Sequence, residues 1–150
     1  MVTVQADPSR LEVILDRVRD ICALAPGIHA VSPTAPQNSY IFPAVILNAG
    51  KSQTVGHTAH DVETRDINIM LLTGPAEAKF QMQLEAATVP LIDAIHQVFI
   101  KRRALELNDS GLVMRAGKSG DTGAQTVTYA GNNYIGSIIT LTVRYDVMEI

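Results

Sequence analysis

His57, His60, Asp61 and Glu63 are the residues whose types and spacing most suggest chemistry. Imidazole nitrogens and carboxylate oxygens are good zinc ligands, and close spacing can complete a chelate. A helical zinc protease, however, needs histidines four apart with a glutamate directly after the first. Here the histidines are three apart without that glutamate, at a loop-to-strand boundary, and no further anchor is evident. They read as solvated loop histidines, and the expectation is no catalytic metal. Gly50-Lys51-Ser52 and Gly117-Lys118-Ser119 each echo the end of a phosphate-binding loop. The full motif needs another glycine five residues before the Gly-Lys pair, and a helix after it. Val45 and Leu112 stand at those positions, so both tripeptides read as flexible basic loop tips. No Gly-x-Ser-x-Gly elbow occurs, and neither His29 nor His96 has a sequence-visible partner for general-base work. The expectation is therefore no enzyme: no catalytic, cofactor-binding or metal-ligating residue.

Composition supports the same restraint. The chain has 150 residues, 47% of them apolar and 18% charged, which suits one domain (residues 1–150) with its own core. Net charge is −3, and aromatic residues make up only 5%, so neither a global basic footprint nor a base-stacking platform is present. One cysteine, Cys22, excludes an internal disulfide framework. Met1–Asp7 lacks the features of a secretory signal, and no apolar run reaches the roughly 20 residues of a membrane helix.

The elements that would position any site follow from periodicity. Asp7 and Pro8 can start a helix in which Leu11, Ile14, Leu15, Val18, Ile21, Cys22 and Ala25 share one face. Pro26 and Gly27 stop it, and Cys22 is a buried packing residue. Tyr40–Leu47 reads as a strand, with Pro43 marking an edge or a bulge. Asn48–His60 has the polar, glycine-containing composition of a long loop, mobile until a neighbour orders it. Asp61–Thr73 is a second strand, wet on one side. A helical stretch follows with Phe80, Leu84, Ala87, Leu91, Ile95 and Val98 on one line. Pro90 predicts a kink or two abutting helices, with Thr88 capping the second part, and Lys101-Arg102-Arg103 reads as a charged helix end. Short strands are expected at Leu105–Leu107 and Leu112–Arg115, then a polar loop over Ala116–Ala124. Gln125–Ala130 and Ile135–Val147 flank a turn at Gly131-Asn132-Asn133. In the last strand Ile139, Leu141, Val143, Tyr145 and Val147 alternate with Thr140, Thr142, Arg144 and Asp146, which predicts one face on a core. The order α-β-β-α-β-β-β predicts an α+β fold: a mostly antiparallel sheet packed by two main helices.

That order, the strand Tyr40–Leu47, the strand His60–Leu71, the long helix and Tyr129–Gly136 leading into an alternating C-terminal strand resemble the tail terminator (tail completion) proteins of long-tailed bacteriophages and their neck-protein relatives. The resemblance spans nearly the whole chain but rests on order and texture. It implies a subunit that assembles with copies of itself into a hexameric ring. The ring would cap the tail tube, touching the major tail tube protein below and the head-tail connector or head-completion protein above. DNA would pass through its channel without specific binding, and the protein would reside in the virion after assembly in the host cytoplasm, with no membrane partner. The family has no diagnostic motif, so no site residue carries over. Other readings remain: a tail-tube or head-completion subunit of the same particle, a small metal-dependent enzyme using His57, His60 and Asp61, or an oligomeric ligand-binding module.

Overall fold

The computed structural model describes residues 10–31, 42–56, 61–103, 105 and 113–146. Along the chain lie α1 (Arg10–Cys22), β1 (Ala30–Val31), β2 (Ala44–Gly56), β3 (Asp61–Pro75), a 3₁₀ turn at Ala78–Phe80, α2 (Gln81–Ile100), β4 (Val113–Asp121), β5 (Gln125–Tyr129) and β6 (Asn132–Asp146). The strands form one sheet in the order β1-β2-β3-β6-β4, with β5 also paired to β6. Every pairing is antiparallel except that of two-residue β1 with β2. Leaving β1 aside, the order is α-β-β-α-β-β-β, an α+β fold as expected.

Both helices cover the same face. On α1, Ile14, Val18, Ile21 and Cys22 are buried while Glu12, Asp16 and Asp20 are exposed, the one-sided pattern of the sequence. Its expected start, Asp7-Pro8, lies outside the described residues. Beneath the helices, Ile67, Ile69 and Leu71 of β3 and Ile139, Leu141, Val143 and Tyr145 of β6 form the floor of the main core. Thr140, Thr142 and Arg144 point the other way, so the register of β6 follows its alternation. Val147 falls outside the described residues.

Four expectations need correction. Asn48–Gly56 is not a loop: after a bulge between Ala49 and Ser52, β2 continues to pair with β3 from Ser52↔Arg65 to Gly56↔Asp61. Ladder hydrogen bonds use only backbone, and a sheet with one wet face accepts polar side chains there. Likewise Ala116–Asp121 belongs to β4 and pairs with β6, rather than forming a loop. Only Thr122–Ala124 break the line between β4 and β5, and there the Thr122 amide donates to the Ile138 carbonyl while its hydroxyl accepts from the Ile138 amide. The hairpin turn starts one residue earlier than expected. Ala130 and Gly131 have φ of 52° and 81°, and Tyr129↔Asn132 closes the pair, the geometry that two-residue hairpins favour. Finally, α2 is one continuous helix through Pro90, not two abutting ones. Ala86 and Pro90 lie on the solvent side, where water can satisfy the carbonyl that loses its amide partner.

Thr88 accordingly caps nothing. Its hydroxyl donates to the Leu84 carbonyl at 2.7 Å and meets the hydroxyl of Thr73, also buried, at 2.7 Å. Of the expected strand Leu105–Leu107, only Leu105 is described; it is a buried turn residue with φ of 55°. Tyr40 and Ile41 are outside the described residues, and Phe42-Pro43 precede β2 rather than belonging to it.

The outer face of the sheet is divided. Towards one end, Ile46, Met70, Leu72, Val127 and Tyr134 make a second apolar cluster, with Phe42, Tyr129 and Ile138 packed against it. Gly136 sits where a β-carbon would collide with the Leu71 carbonyl, so only glycine lets β3 and β6 approach there. Towards the other end the same face carries Gln53, Thr64, Asp66, Thr142 and Arg144.

Candidate functional site

The sequence-derived metal candidates do not assemble into a described site. His57 and His60 lie outside the described residues, and Asp61 opens β3. Glu63, two residues on, is half-buried and accepts from Arg65 Nη2 at 2.5 Å. Arg65 also donates from Nε to the Tyr145 hydroxyl at 3.3 Å and from Nη1 to the Gly50 carbonyl at 3.0 Å. Its guanidinium pKa is raised chiefly by the Tyr145 hydrogen bond; burial opposes this, and the Glu63 hydrogen bond adds a smaller upward push. This network ties β2, β3 and β6 together and engages Glu63. Among the described residues, no group of three or more His, Cys, Asp or Glu side chains stands close enough to hold a metal ion.

The two Gly-Lys-Ser sequences lie on strands. Gly50-Lys51-Ser52 spans the β2 bulge, and Gly117-Lys118-Ser119 sits in β4. Neither precedes a helix. Lys118 pairs with Asp121 at 2.5 Å, and that contact holds the Asp121 carboxyl below its usual range, with smaller help from the Gly123 amide. His29 Nδ1 lies 3.1 Å from the Phe42 carbonyl. Cys22 is buried in the main core, and burial pushes its thiol pKa up to about 12, so it stays protonated and unreactive at neutral pH.

The surface feature that stands out is on α2. Periodicity put Phe80, Leu84, Ala87, Leu91, Ile95 and Val98 on one line. The structure buries Thr88, Ile92, Ile95, Val98 and Phe99, leaves Leu84 and Leu91 half-buried, and exposes Phe80 and Ala87. Apolar residues occur all round this helix, so spacing alone does not choose which line packs. Left outside are Met82 at 83% exposure and Val89 at 59%, with Ala86 and Pro90 between and beside them. Residues 82, 86 and 89 are four and three apart and therefore neighbours on one helical surface. Together they form a short apolar strip on the exposed side of the first half of α2, which Asp93 ends.

Sheet edges offer a poorer contact. Beyond β1, the outer edge of β2 carries the Ala49/Ser52 bulge and Lys51, and β4 carries bulges at Val113/Arg115 and Lys118/Gly120. Bulges and lysines are the usual devices that discourage strand addition. Among the described residues, then, α2 leaves apolar side chains exposed, whereas both sheet edges carry these devices. No helix among them is long and apolar enough to cross a membrane.

The sequence matches no protein-family model, and no curated protein is significantly similar to it.

Proposed function

We propose that the chain is a non-enzymatic assembly subunit, a tail terminator of a long-tailed bacteriophage that forms a hexameric ring between tail tube and head connector. The exposed apolar face of α2 carries this reading. Met82, Ala86 and Val89 give each copy a surface that gains by being covered. In a ring the contact is head-to-tail, so this face packs on a different surface of the next copy and the rotation closes. A rigid sheet with blunted edges suits such a part because it limits uncontrolled strand addition. The net charge of −3 gives the ring little overall attraction for DNA in transit. The particle tail is then its location, and the tube and connector proteins its partners.

Native mass spectrometry and sedimentation test the reading. The parent should assemble as a hexamer, and Met82→Asp/Val89→Asp should yield a folded monomer with an unchanged circular dichroism spectrum. Val13→Asp, the matching change on α1, should leave the hexamer intact. A parent that stays monomeric at high concentration, or a double variant that still assembles, would reject it.

A further inference from the structure

The polar half of the outer sheet face carries a concentration of positive charge that the whole-chain balance conceals. Arg115 of β4 stands directly opposite Arg144 of β6 in the antiparallel register. Directly opposed residues have β-carbons about 4.5–5.5 Å apart, and like charges at that separation destabilise a sheet. A third guanidinium joins them from outside the sheet. Arg103, just after α2, passes over Gly117 of β4, where an added β-carbon would lie 3.5 Å from its Nη1. That separation is ordinary van der Waals contact, so Arg103 lies against the strand at Gly117.

Together with Thr64, Ser119 and Thr142, these three arginines line an open cleft of about 320 Å³ that no carboxylate lines. Asp66 lies on the same face two residues along β3 from Thr64, but it accepts from the Thr142 hydroxyl at 3.0 Å. Among the described residues, none of the three guanidiniums is paired with an acid. All three are exposed and reach the cleft from three separate elements.

We infer that this cleft binds phosphate groups. Planar guanidiniums donate paired hydrogen bonds to phosphate oxygens, and one anion between Arg115 and Arg144 would turn their repulsion into a shared attraction. The Thr64 hydroxyl at the rim adds a neutral donor, whereas those of Ser119 and Thr142 already donate to the Thr140 carbonyl and to Asp66. No base-edge reader or stacking aromatic lines the cleft, so recognition is of the phosphate itself and independent of nucleotide sequence. The inference does not rest on the ring reading.

Calorimetric titration with pyrophosphate, and anisotropy with labelled single-stranded and duplex oligonucleotides at low salt, distinguish a small-molecule source from a polynucleotide. Binding of pyrophosphate alone assigns a free phosphate compound. Binding of oligonucleotides as well, weakening steeply with salt, assigns a nucleic-acid backbone. Either result supports the site if Arg115→Gln/Arg144→Gln lowers the affinity by about tenfold or more while Lys51→Gln leaves it unchanged. Pyrophosphate should also raise the melting temperature of the parent and not that of the double variant. In phosphate-free buffer the double variant should melt no lower than the parent, because the like-charge pair is gone. The inference is overturned if the parent binds none of these probes, if the double variant binds as tightly as the parent, or if Lys51→Gln weakens binding equally. It is also overturned if polyglutamate binds as tightly as pyrophosphate, which would make the cleft a carboxylate site for an acidic protein partner.

Discussion

α1 and α2 lie on the same face of the same sheet and share one core, yet they differ in what they leave outside. On α1 the buried line of Ile14, Val18, Ile21 and Cys22 is opposed by the exposed acids Glu12, Asp16 and Asp20, with Arg19 donating to Asp16 at 2.9 Å. On α2 the buried line of Ile92, Ile95, Val98 and Phe99 is opposed by Met82, Ala86, Val89 and Pro90. α1 leaves mostly charge outside, with Val13 partly exposed, whereas α2 retains more apolar surface after its packing is satisfied. Apolar surface buried within the chain and apolar surface left exposed thus lie on different sides of one helix.

The largest effect expected is on the core that both helices cover. Leu141 is fully buried, so Leu141→Ala should cost about 2–5 kcal/mol, whereas Thr140→Ala on the opposite face should stay within about 0.5 kcal/mol. Urea melts of the two variants compare the faces directly. If the threonine change were the costly one, the helices would be on the wrong side of the sheet.

A smaller effect separates α2 from α1. Thr73→Val leaves the buried Thr88 hydroxyl without its cross-element partner, and Thr88→Val does the same to Thr73. Each single change should cost about 1–3 kcal/mol, and the double valine variant less than the sum, because a mutually satisfied pair is then removed whole. A double-mutant cycle measures that coupling, and strict additivity would show the pair to be energetically idle.

The smallest effect near neutrality belongs to α1. The Cys22 thiol pKa rises from 9.0 to about 12 on burial. Between those values the folded chain keeps a proton that the unfolded chain releases, so stability falls as pH rises above 9.0 and is unaffected well below it. Stability measured against pH should therefore slope downward more steeply in the parent than in Cys22→Ala. Labelling by iodoacetamide at neutral pH should occur only on unfolding. Rapid labelling of the native protein would show that α1 is not seated as described.

How much of this was legible beforehand depended on the range of the interactions. The stripe on α1 and the alternation of β6 were readable because each concerns neighbours three, four or two residues apart. The continuation of β2 past Asn48 was not, since its evidence is the pairing of Ser52 with Arg65 and of Gly56 with Asp61. Lys51, Ser52 and Gln53 carry the composition of a loop, and backbone hydrogen bonds leave no mark on composition. The inward line of α2 was not readable because a helix apolar all round has no single preferred face until something packs on it.

The metal candidates were weighed in sequence because His57, His60, Asp61 and Glu63 are adjacent. The arginine cleft leaves no such local mark, because Arg103, Arg115 and Arg144 are separated in the chain and the net charge is −3. By itself, the order of residues determined the α+β class, the helix α1, the strand β3 and the face of β6 that is buried. Those are consequences of local stereochemistry and of the exclusion of apolar side chains from water. Tertiary structure alone decided where the polar strands pair, that α2 runs through Pro90, which of its sides stays outside, and that three arginines line one cleft. Each of those depends on contacts between distant segments, whose energies exist only once the sheet has brought them together.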